Sequence, residues 1–353
     1  MKNDEVVNLD KENSVSLYDM FSKVEIIPME TTDETVMGYP PKKMLVNDGQ
    51  FYFLAQKAQV ICQFDENGRF VKKINYHSSG PQEYSDISDF RFNHFSGDLE
   101  ILCAWGYINV YDPSGCTFKK RISFDKKDIN VVHNFIELSP DRYLLFPAAR
   151  KGNKMVWYDV AEDRAVAEDY NLPEFLFFNT PYSHTFSPFY MFNDTVHFVQ
   201  AYNGEVYVAD KDGGLKPKYD FDFGEYNFDI STLKEESVEY YVRHSHSIGA
   251  RYANRFIAYG ENSRYYISRF AFRRSLYHLV MNKRDGSVMT FQRLKEKCLC
   301  FPVCMDETAL YFFASPQELQ VAINPEILSD EERKKFDSVL PDDNPVVIKY
   351  TFK

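Results

Sequence analysis

Short runs of alternating apolar and polar residues recur along the whole chain, a pattern that predicts half-buried β-strands. The clearest recurring unit is a strand that ends in Asp or Asn, a short polar turn that usually contains Gly, and a second strand. Asp and Asn bond their own backbone in such turns, and Gly accepts the positive φ that closes them, so each unit predicts a β-hairpin. Five copies occur, at residues 62–74, 109–122, 156–168, 206–219 and 278–291.

Two further strand-like runs precede each hairpin, such as "KKMLVND" and "QFYFLA" before the first one. A sixth pair of runs, "CFPVCMD" and "ALYFFAS", follows the last hairpin. Successive units begin about 44 to 69 residues apart, a spacing that suits four-stranded propeller blades. The pattern therefore predicts an all-β protein, a six-bladed β-propeller of four-stranded antiparallel blades.

The sixth blade has a third strand, "NPVVIKYTFK", but the chain ends before a fourth. A spare strand, "VEIIPME" at residues 24–30, stands before the first blade. We expect it to pair beside residues 346–352 and to close the propeller, which leaves few open strand edges. Residues 1–23 are then an N-terminal tether and residues 24–353 a single domain. Two short helical insertions are expected at about 229–245 and 329–340, the second with Ser329 and Glu332 in capping-box spacing.

Composition narrows the class of protein. Aromatic residues make up 16% of the chain, which favours pleated sheets. The net charge of −11 argues against nucleic acid or an anionic membrane as the main partner, because both require a basic surface. Six cysteines are too sparse to indicate a disulfide framework, and "CLCFPVC", expected on a strand, has no matching pair elsewhere, so no metal is expected. No apolar run is long enough to span a membrane, and the first residues do not resemble a secretory signal.

Three stretches carry a family resemblance: "SLYDMFSKVEIIPMETTDET", "FDENGRFVKKI" followed by "GPQEYSDISDF", and "DDNPVVIKYTFK". The chain resembles the six-bladed propellers common among exported proteins and lipoproteins of Bacteroides-type bacteria, which are similar to NHL-repeat propellers. In that family the second motif usually has glycines where Ser78 or Ser79 and Gln82 stand here. The resemblance implies the fold and a periplasmic or outer-membrane-associated location, with the export signal removed from this chain. It implies no activity, and a cytoplasmic location stays open.

The loop "INYHSSGPQEYSDISDF", residues 74–90, joins the first two blades. One interpretation makes it a structural corner, with Pro81 fixing φ and Glu83 accepting backbone N–H groups. The other makes Glu83 a ligand acceptor or general base. A lone carboxylate is a weak catalytic signal, so Glu83 is the one weak catalytic candidate.

Basic residues concentrate in segments predicted to lie on one face of the propeller, which we call the upper face. The loops between second and third strands and the loops that lead to the next blade share this face. Three such segments, "ARKGNK", "RHSHSIGARYANR" and "SRFAFRRS", contain no acidic residue. Arginine donates paired hydrogen bonds to carboxylate and sulfate groups, and aromatic rings stack on sugar faces. Alternatively, the arginines pair with the acidic helical segments predicted over the same face. The ligand-binding candidates are Arg150, Arg251, Arg273, Arg274, Tyr252, Trp105, His244 and His246.

Together these features favour a non-catalytic propeller of the bacterial cell envelope that binds a small anionic molecule, an anionic glycan or another envelope protein. It needs no cofactor. The alternative is a hydrolase or lyase that acts on a glycan or a lactone. That enzyme could use calcium, held at the channel mouth by residues such as Asp89 or Asn134.

Overall fold

The computed structural model describes residues 3–11, 13–38, 40–55, 57, 59–78, 80, 82–124, 129, 131–147, 153–171, 187–229, 244, 247 and 250–353. Within these residues, 25 β-strands form six antiparallel sheets, and helices are few and short. The fold is therefore all-β, as the alternating pattern predicts.

The strands follow one another along the chain with short connections. Their bounds are β1 (Asn3–Val6), β2 (Phe21–Pro28), β3 (Lys43–Asn47), β4 (Gln50–Ala55), β5 (Val60–Phe64), β6 (Phe70–Ile74), β7 (Asp89–Phe92), β8 (Leu99–Cys103), β9 (Tyr107–Tyr111), β10 (Phe118–Ser123), β11 (Val132–Ser139), β12 (Arg142–Pro147), β13 (Asn153–Asp159), β14 (Arg164–Asn171), β15 (Phe189–Phe192), β16 (Thr195–Val199), β17 (Val206–Ala209), β18 (Leu215–Asp222), β19 (Asn254–Glu261), β20 (Tyr265–Phe272), β21 (Ser275–Asn282), β22 (Val288–Phe291), β23 (Cys304–Met305), β24 (Ala309–Ala314) and β25 (Val346–Phe352). The α-helices are α1 (Leu17–Met20), α2 (Leu319–Ala322) and α3 (Asp330–Asp337), and 3-10 turns occur at Gly224–Tyr226 and Pro325–Ile327.

Each sheet is one blade. Blades one to five contain β3–β6, β7–β10, β11–β14, β15–β18 and β19–β22, each in sequence order across the sheet, and blade six has the order β2-β25-β24-β23. The fold is a six-bladed β-propeller, so the predicted fold class is confirmed. The five predicted hairpins are the third and fourth strands of blades one to five.

Burial varies in a regular way across a blade. Second and third strands such as β5 and β8 are buried at every position, because their two faces pack against neighbouring side chains. Outer strands such as β6 and β10 alternate between exposed and covered positions, because one face meets solvent. The alternating pattern in the sequence therefore comes mainly from the outer strands.

Chain closure occurs in blade six, as predicted. Strand β2 pairs antiparallel with β25, with Ile26 opposite Ile348. The backbone N–H of Ile26 also donates a buried hydrogen bond of 2.5 Å to Oε2 of Glu332, which lies in helix α3. Asn344 links the two chain ends a second time, since its side chain accepts from Met37 N and donates to the carbonyl of Glu30.

The first 23 residues, predicted as a tether, contain two ordered elements. Strand β1 pairs with β18 as a fifth strand of blade four. Helix α1 begins with a capping box in which Ser16 and Asp19 bond each other's backbone N–H groups. Leu17 and Met20 of this helix are buried in the hydrophobic core that also contains Ile348.

The contacts group the chain into two compact units. The first unit contains residues 1–5, 74–257 and 272–274, and the second contains residues 6–73, 258–271 and 275–353. Blades two, three and four belong to the first unit, and blades one and six to the second. The hydrophobic cores of the first unit lie between blades two and three and between blades three and four.

Two predicted segments differ in outcome. Helix α3 lies within the predicted insertion at 329–340, and Ser329 accepts the capping hydrogen bond from Glu332 N. The other insertion, at 229–245, lies almost wholly outside the described residues.

The strand predicted around "CFPVCMD" is shorter than expected, because only Cys304 and Met305 pair with β24. Cys298 and Cys300, predicted on that strand, are instead buried in irregular chain that packs into the core.

Candidate functional site

Arg251 and Tyr252 lie directly before β19 in the first unit. The guanidinium carbon of Arg251 lies 5.1 Å from the centre of the Tyr252 ring, an arrangement typical of a cation–π contact. Tyr252 in turn packs against Phe228, with 5.6 Å between ring centres. Arg251 is exposed, so its guanidinium lies over the Tyr252 ring while the side chain stays accessible to solvent.

Arg273 and Arg274 form the two-residue turn between β20 and β21. Both have positive φ, 48° and 62°, as the central residues of type I′ hairpins do. Nη2 of Arg273 donates a hydrogen bond of 3.0 Å to the hydroxyl of Tyr226. Its guanidinium carbon lies 4.7 Å from the ring centre of Phe272 and 5.2 Å from that of Tyr226. These contacts fix the direction of the Arg273 side chain.

The two arginine sites are adjacent because one backbone hydrogen bond joins their supports. Ala253 N donates to the carbonyl of Tyr226 at 2.9 Å, which places the residue after Tyr252 beside the backbone of Tyr226, whose side chain contacts Arg273. We name Arg251, Tyr252, Tyr226, Arg273 and Arg274 the arginine–tyrosine surface. Within the part of the chain that the structure describes, no carboxylate pairs with Arg251 or Arg274.

A cavity of about 480 Å³ neighbours this surface, because Phe228, which packs against Tyr252, contributes to the cavity wall. Its lining is polar and acidic, formed by Gln200, Asn203, Glu205, Asp220, Phe221, Asp222, Asn227, Phe228 and Asp229. Hydrogen bonds from Gly224 N–H and from Asn227 hold the pKa of Asp222 below its ordinary value. That carboxylate is therefore ionised at neutral pH, and the cavity disfavours a bound anion.

Glu83 occupies the corner between blades one and two. Its Oε2 accepts a hydrogen bond of 2.7 Å from Gly80 N, three residues earlier in the same loop. Its backbone carbonyl accepts from Asn109 Nδ2 and from Arg121 Nη2. Tyr84, fully buried, donates from its hydroxyl to the carbonyl of Ile74. The carboxylate of Glu83 thus closes its own turn, while Pro81 lies outside the described residues.

The structure describes two of the four other predicted ligand-binding residues, Trp105 and His244. Trp105 lies in the turn between β8 and β9, is 66% exposed, and makes no ring contact with any described residue. The carbonyl of His244 accepts a hydrogen bond from the hydroxyl of Ser247, and its side chain is exposed. Arg150 and His246 lie outside the described residues.

Asp89 and Asn134, the residues considered for calcium, lie on the first strands of blades two and three. Both are almost fully buried, and Asn134 Nδ2 donates to Asp89 Oδ2 at 3.4 Å. Oδ1 of Asp89 accepts a hydrogen bond from Phe90 N. Among the described residues, no group of three or more His, Cys, Asp or Glu side chains is arranged to hold a metal ion.

Sequence reasoning missed the support of the surface. Tyr226 and Phe228 belong to "DFDFGEYNFD" at 220–229, where acids alternate with aromatic residues and Gly224 adopts a positive φ of 60°. This alternation of acidic and aromatic residues is the sequence signal that could have identified the segment. It does not reveal that the segment after β18 returns to the start of β19, because this depends on the hydrogen bond to Ala253.

Six antiparallel blades define the class of the protein, a β-propeller, and the arginine–tyrosine surface is its candidate ligand-binding surface. The chain belongs to the family described as a domain of unknown function, DUF4934, whose model matches residues 4–351. The predicted resemblance to propellers of Bacteroides-type bacteria is confirmed by this match and by the solved structures below. No curated protein sequence matches the chain.

Two solved structures share the fold over nearly the whole length. One is a Bacteroides fragilis protein named as a candidate exported protein, with a TM-score of 0.77, 12% identity, and coverage of 100% of both chains. The other is a member of the DUF4221 family from Bacteroides vulgatus, with a TM-score of 0.54, 12% identity, and coverage of 97% of this chain and 99% of the other. At such identities the similarity shows the fold alone. Within the described residues, no helix combines the length and apolar character needed to cross a membrane.

Proposed function

We propose that this protein is a non-catalytic binding propeller of the bacterial cell envelope, and that its arginine–tyrosine surface holds an anionic glycan. The observation that carries the proposal is the pair of arginines, each lying on a tyrosine ring and joined through the Ala253–Tyr226 hydrogen bond. Guanidinium groups donate paired hydrogen bonds to carboxylate or sulfate groups, and tyrosine rings offer a face to the C–H side of a sugar. Because the chain as a whole has a net charge of −11, a local group of exposed arginines contrasts with the rest of its composition.

Backbone strain at the turn supports a binding role for Arg273 and Arg274. Positive φ costs a non-glycine residue roughly 1–2 kcal/mol, and Asn-Gly or Asp-Gly usually fills both positions of such a turn. Two other turns of this chain use such residues, namely Asp48 with Gly49 and Asn193 with Asp194. Two arginines in place of such a pair give up stability, which a ligand contact would explain.

The neighbouring cavity limits how an anionic glycan would bind. Its carboxylates repel an acidic group, so the acidic group would contact Arg251 or Arg273 outside the cavity. Carboxylate and amide groups such as those of Asp222, Asn203 and Asn227 pair well with sugar hydroxyls. We therefore infer that uncharged sugar units would extend toward the cavity.

The envelope location rests on similarity alone. The Bacteroides fragilis protein that shares the fold is named as a candidate exported protein, and we extend that location to this chain. A periplasmic or outer-membrane-associated protein would meet acidic glycans of host or bacterial origin. The proposal extends to a lipid anchor ahead of the N-terminal residues. It also extends to an envelope protein as the bound partner in place of the glycan.

Binding of a matched pair of oligosaccharides tests the proposal. Calorimetry would compare an oligogalacturonate with its methyl-esterified, uncharged form, using the full-length protein. We expect the charged form to bind and the ester to bind about tenfold more weakly or not at all, because charge-assisted hydrogen bonds are lost. Arg251→Gln and Arg273→Gln should each weaken binding, whereas Arg164→Gln, an exposed arginine of β14, should not. Equal binding of both forms would refute the role of the arginines, and if neither bound, a sulfated oligosaccharide series would follow.

Product formation distinguishes the enzyme hypothesis from the binding proposal. A hydrolase or lyase would release product from the bound oligosaccharide, and a calcium-assisted one would lose activity with EDTA. The single hydrogen bond from Gly80 N that Glu83 Oε2 accepts is equally compatible with a structural turn. Product formation that Glu83→Gln abolishes would replace the binding proposal with the enzyme hypothesis.

A further inference from the structure

Blade five contains two basic side chains, those of Arg269 and His278, that the proposed surface does not use. Arg269 lies on β20 and His278 on β21, both in the second unit, whereas Arg251 and Arg273 belong to the first. The side chain of His278 is 1% exposed, and neither ring nitrogen has a hydrogen-bond partner. Nε of Arg269 is also buried without a partner.

Strand register places the two side chains directly opposite each other. The connection between β20 and β21 has two residues, and Lys283 N donates to Arg264 O at 2.8 Å across the strands. The same register brings the rings of Phe270 and Tyr277 to 5.8 Å, and it therefore pairs Arg269 with His278. Opposite residues of an antiparallel pair point to the same face of the sheet.

The pair is covered by apolar groups rather than by acids. The guanidinium carbon of Arg269 lies 4.5 Å from the ring centre of Phe301, and the ring of His278 packs edge-on against Phe291 at 5.1 Å. No described carboxylate pairs with Arg269 or His278. Burial, with Arg269 adding to it, lowers the pKa of His278 to about 3, so the imidazole is neutral when nothing is bound.

We propose that Arg269 and His278 form a binding site for a small oxyanion, such as sulfate or a short carboxylate. Such an anion accepts from Nε–H of Arg269 and from a ring N–H of His278, which satisfies groups whose isolation costs free energy. Arg269 is only partly buried, so it connects this site to solvent. A guanidinium whose Nε is buried and that has no carboxylate partner is a group that an anion compensates well.

Sulfate titration of the full-length protein tests the site. The thermal midpoint would be followed against sulfate at constant ionic strength. We expect a saturable rise, because site binding saturates while the general salting-in or salting-out effect of sulfate stays close to linear. Arg269→Gln should weaken the apparent affinity about tenfold or more, since a charge-assisted hydrogen bond is lost. Arg264→Gln, an exposed arginine at the start of the same hairpin, should leave the saturable part unchanged.

A second measurement keeps the test valid if a variant folds poorly. In wild-type protein labelled with ¹⁵N-histidine, sulfate should move the ring signals of His278, identified by their loss in His278→Gln. A linear response that is equal in Arg269→Gln and wild type would overturn the proposal. So would unmoved His278 signals at saturating sulfate, because the orphaned nitrogens would then bind water only.

Discussion

Glu100 provides the sharpest test of the energetics of the first unit. It lies on β8, is 2% exposed, and accepts hydrogen bonds from the hydroxyl of Tyr143 at 2.5 Å and from Asn93 Nδ2 at 2.8 Å. A second buried carboxylate, Glu137 on β11, lies close by and forms an ion pair of 2.7 Å with Arg91. One arginine therefore serves two buried carboxylates.

Burial raises the pKa of Glu100 from 4.5 to about 7, and repulsion from Glu137 adds to the rise. The folded state consequently holds a proton that the unfolded state has lost between these two pH values. The sign follows from linkage: the stability contributed by this proton is fully present below about pH 4.5 and disappears as the pH rises through about 7. At about 1.4 kcal/mol per pH unit, ionised Glu100 costs the fold about 3 kcal/mol at pH 8.

Glu100→Gln keeps an oxygen for Tyr143 and Asn93 and removes the ionisation. We expect the variant to match wild type near pH 5 and to exceed it by about 3 kcal/mol at pH 8. Urea midpoints at the two pH values measure the difference. The control Glu137→Gln should destabilise the protein at both pH values, since it leaves the buried charge of Arg91 unpaired. If Glu100→Gln lowered stability equally at both pH values, the assignment of a buried proton to Glu100 would be wrong.

Three further predictions concern the turn, the closure and the thiols. Replacing Arg273 and Arg274 by Asn and Gly should raise the thermal midpoint while weakening glycan binding, because the positive-φ strain is relieved; a lower midpoint would show that the contacts with Tyr226 outweigh the strain. Glu332→Ala should destabilise the fold by about 1–3 kcal/mol in urea unfolding, since it leaves the buried N–H of Ile26 without its partner, whereas Glu331→Ala, on the exposed side of the same helix, should change little. Burial raises the pKa of Cys300 to about 12, so a thiol reagent at pH 8 should label exposed Cys116 first and leave Cys300 unlabelled until denaturant is added; rapid labelling of Cys300 in the native protein would contradict its buried position.

The sequence predicts the architecture well because hairpin signals are local. An Asp or Asn before a Gly fixes a turn within a few residues, as around Gly68 and Gly115, and repetition of that signal reveals the blades. The closure was also predictable, because a strand without a partner at one end of the chain matches a missing strand at the other. In contrast, strand β1 and helix α1 depend on distant partners, such as Glu296, which accepts a hydrogen bond from Leu17 N in α1.

The candidate site was less predictable than the fold. Basic residues stand out in an acidic sequence, which identified Arg251, Arg273 and Arg274. The sequence cannot show which aromatic ring supports each arginine, because Tyr226 reaches Arg273 across 47 positions of the chain. The sequence also cannot show that the ring nitrogens of His278 have no hydrogen-bond partner, because this depends on which side chains surround them in the fold.

The pairing of β2 with β25 also constrains how the protein matures during synthesis. Ile26 leaves the ribosome long before its partner Ile348, and at about 5–20 residues per second the interval is roughly 16 to 64 seconds. Throughout that interval one strand edge of the nascent chain stays available to other polypeptides. We therefore expect a factor that shields the early strand, or a route that delays folding until the final residues have emerged, to raise the yield of folded protein.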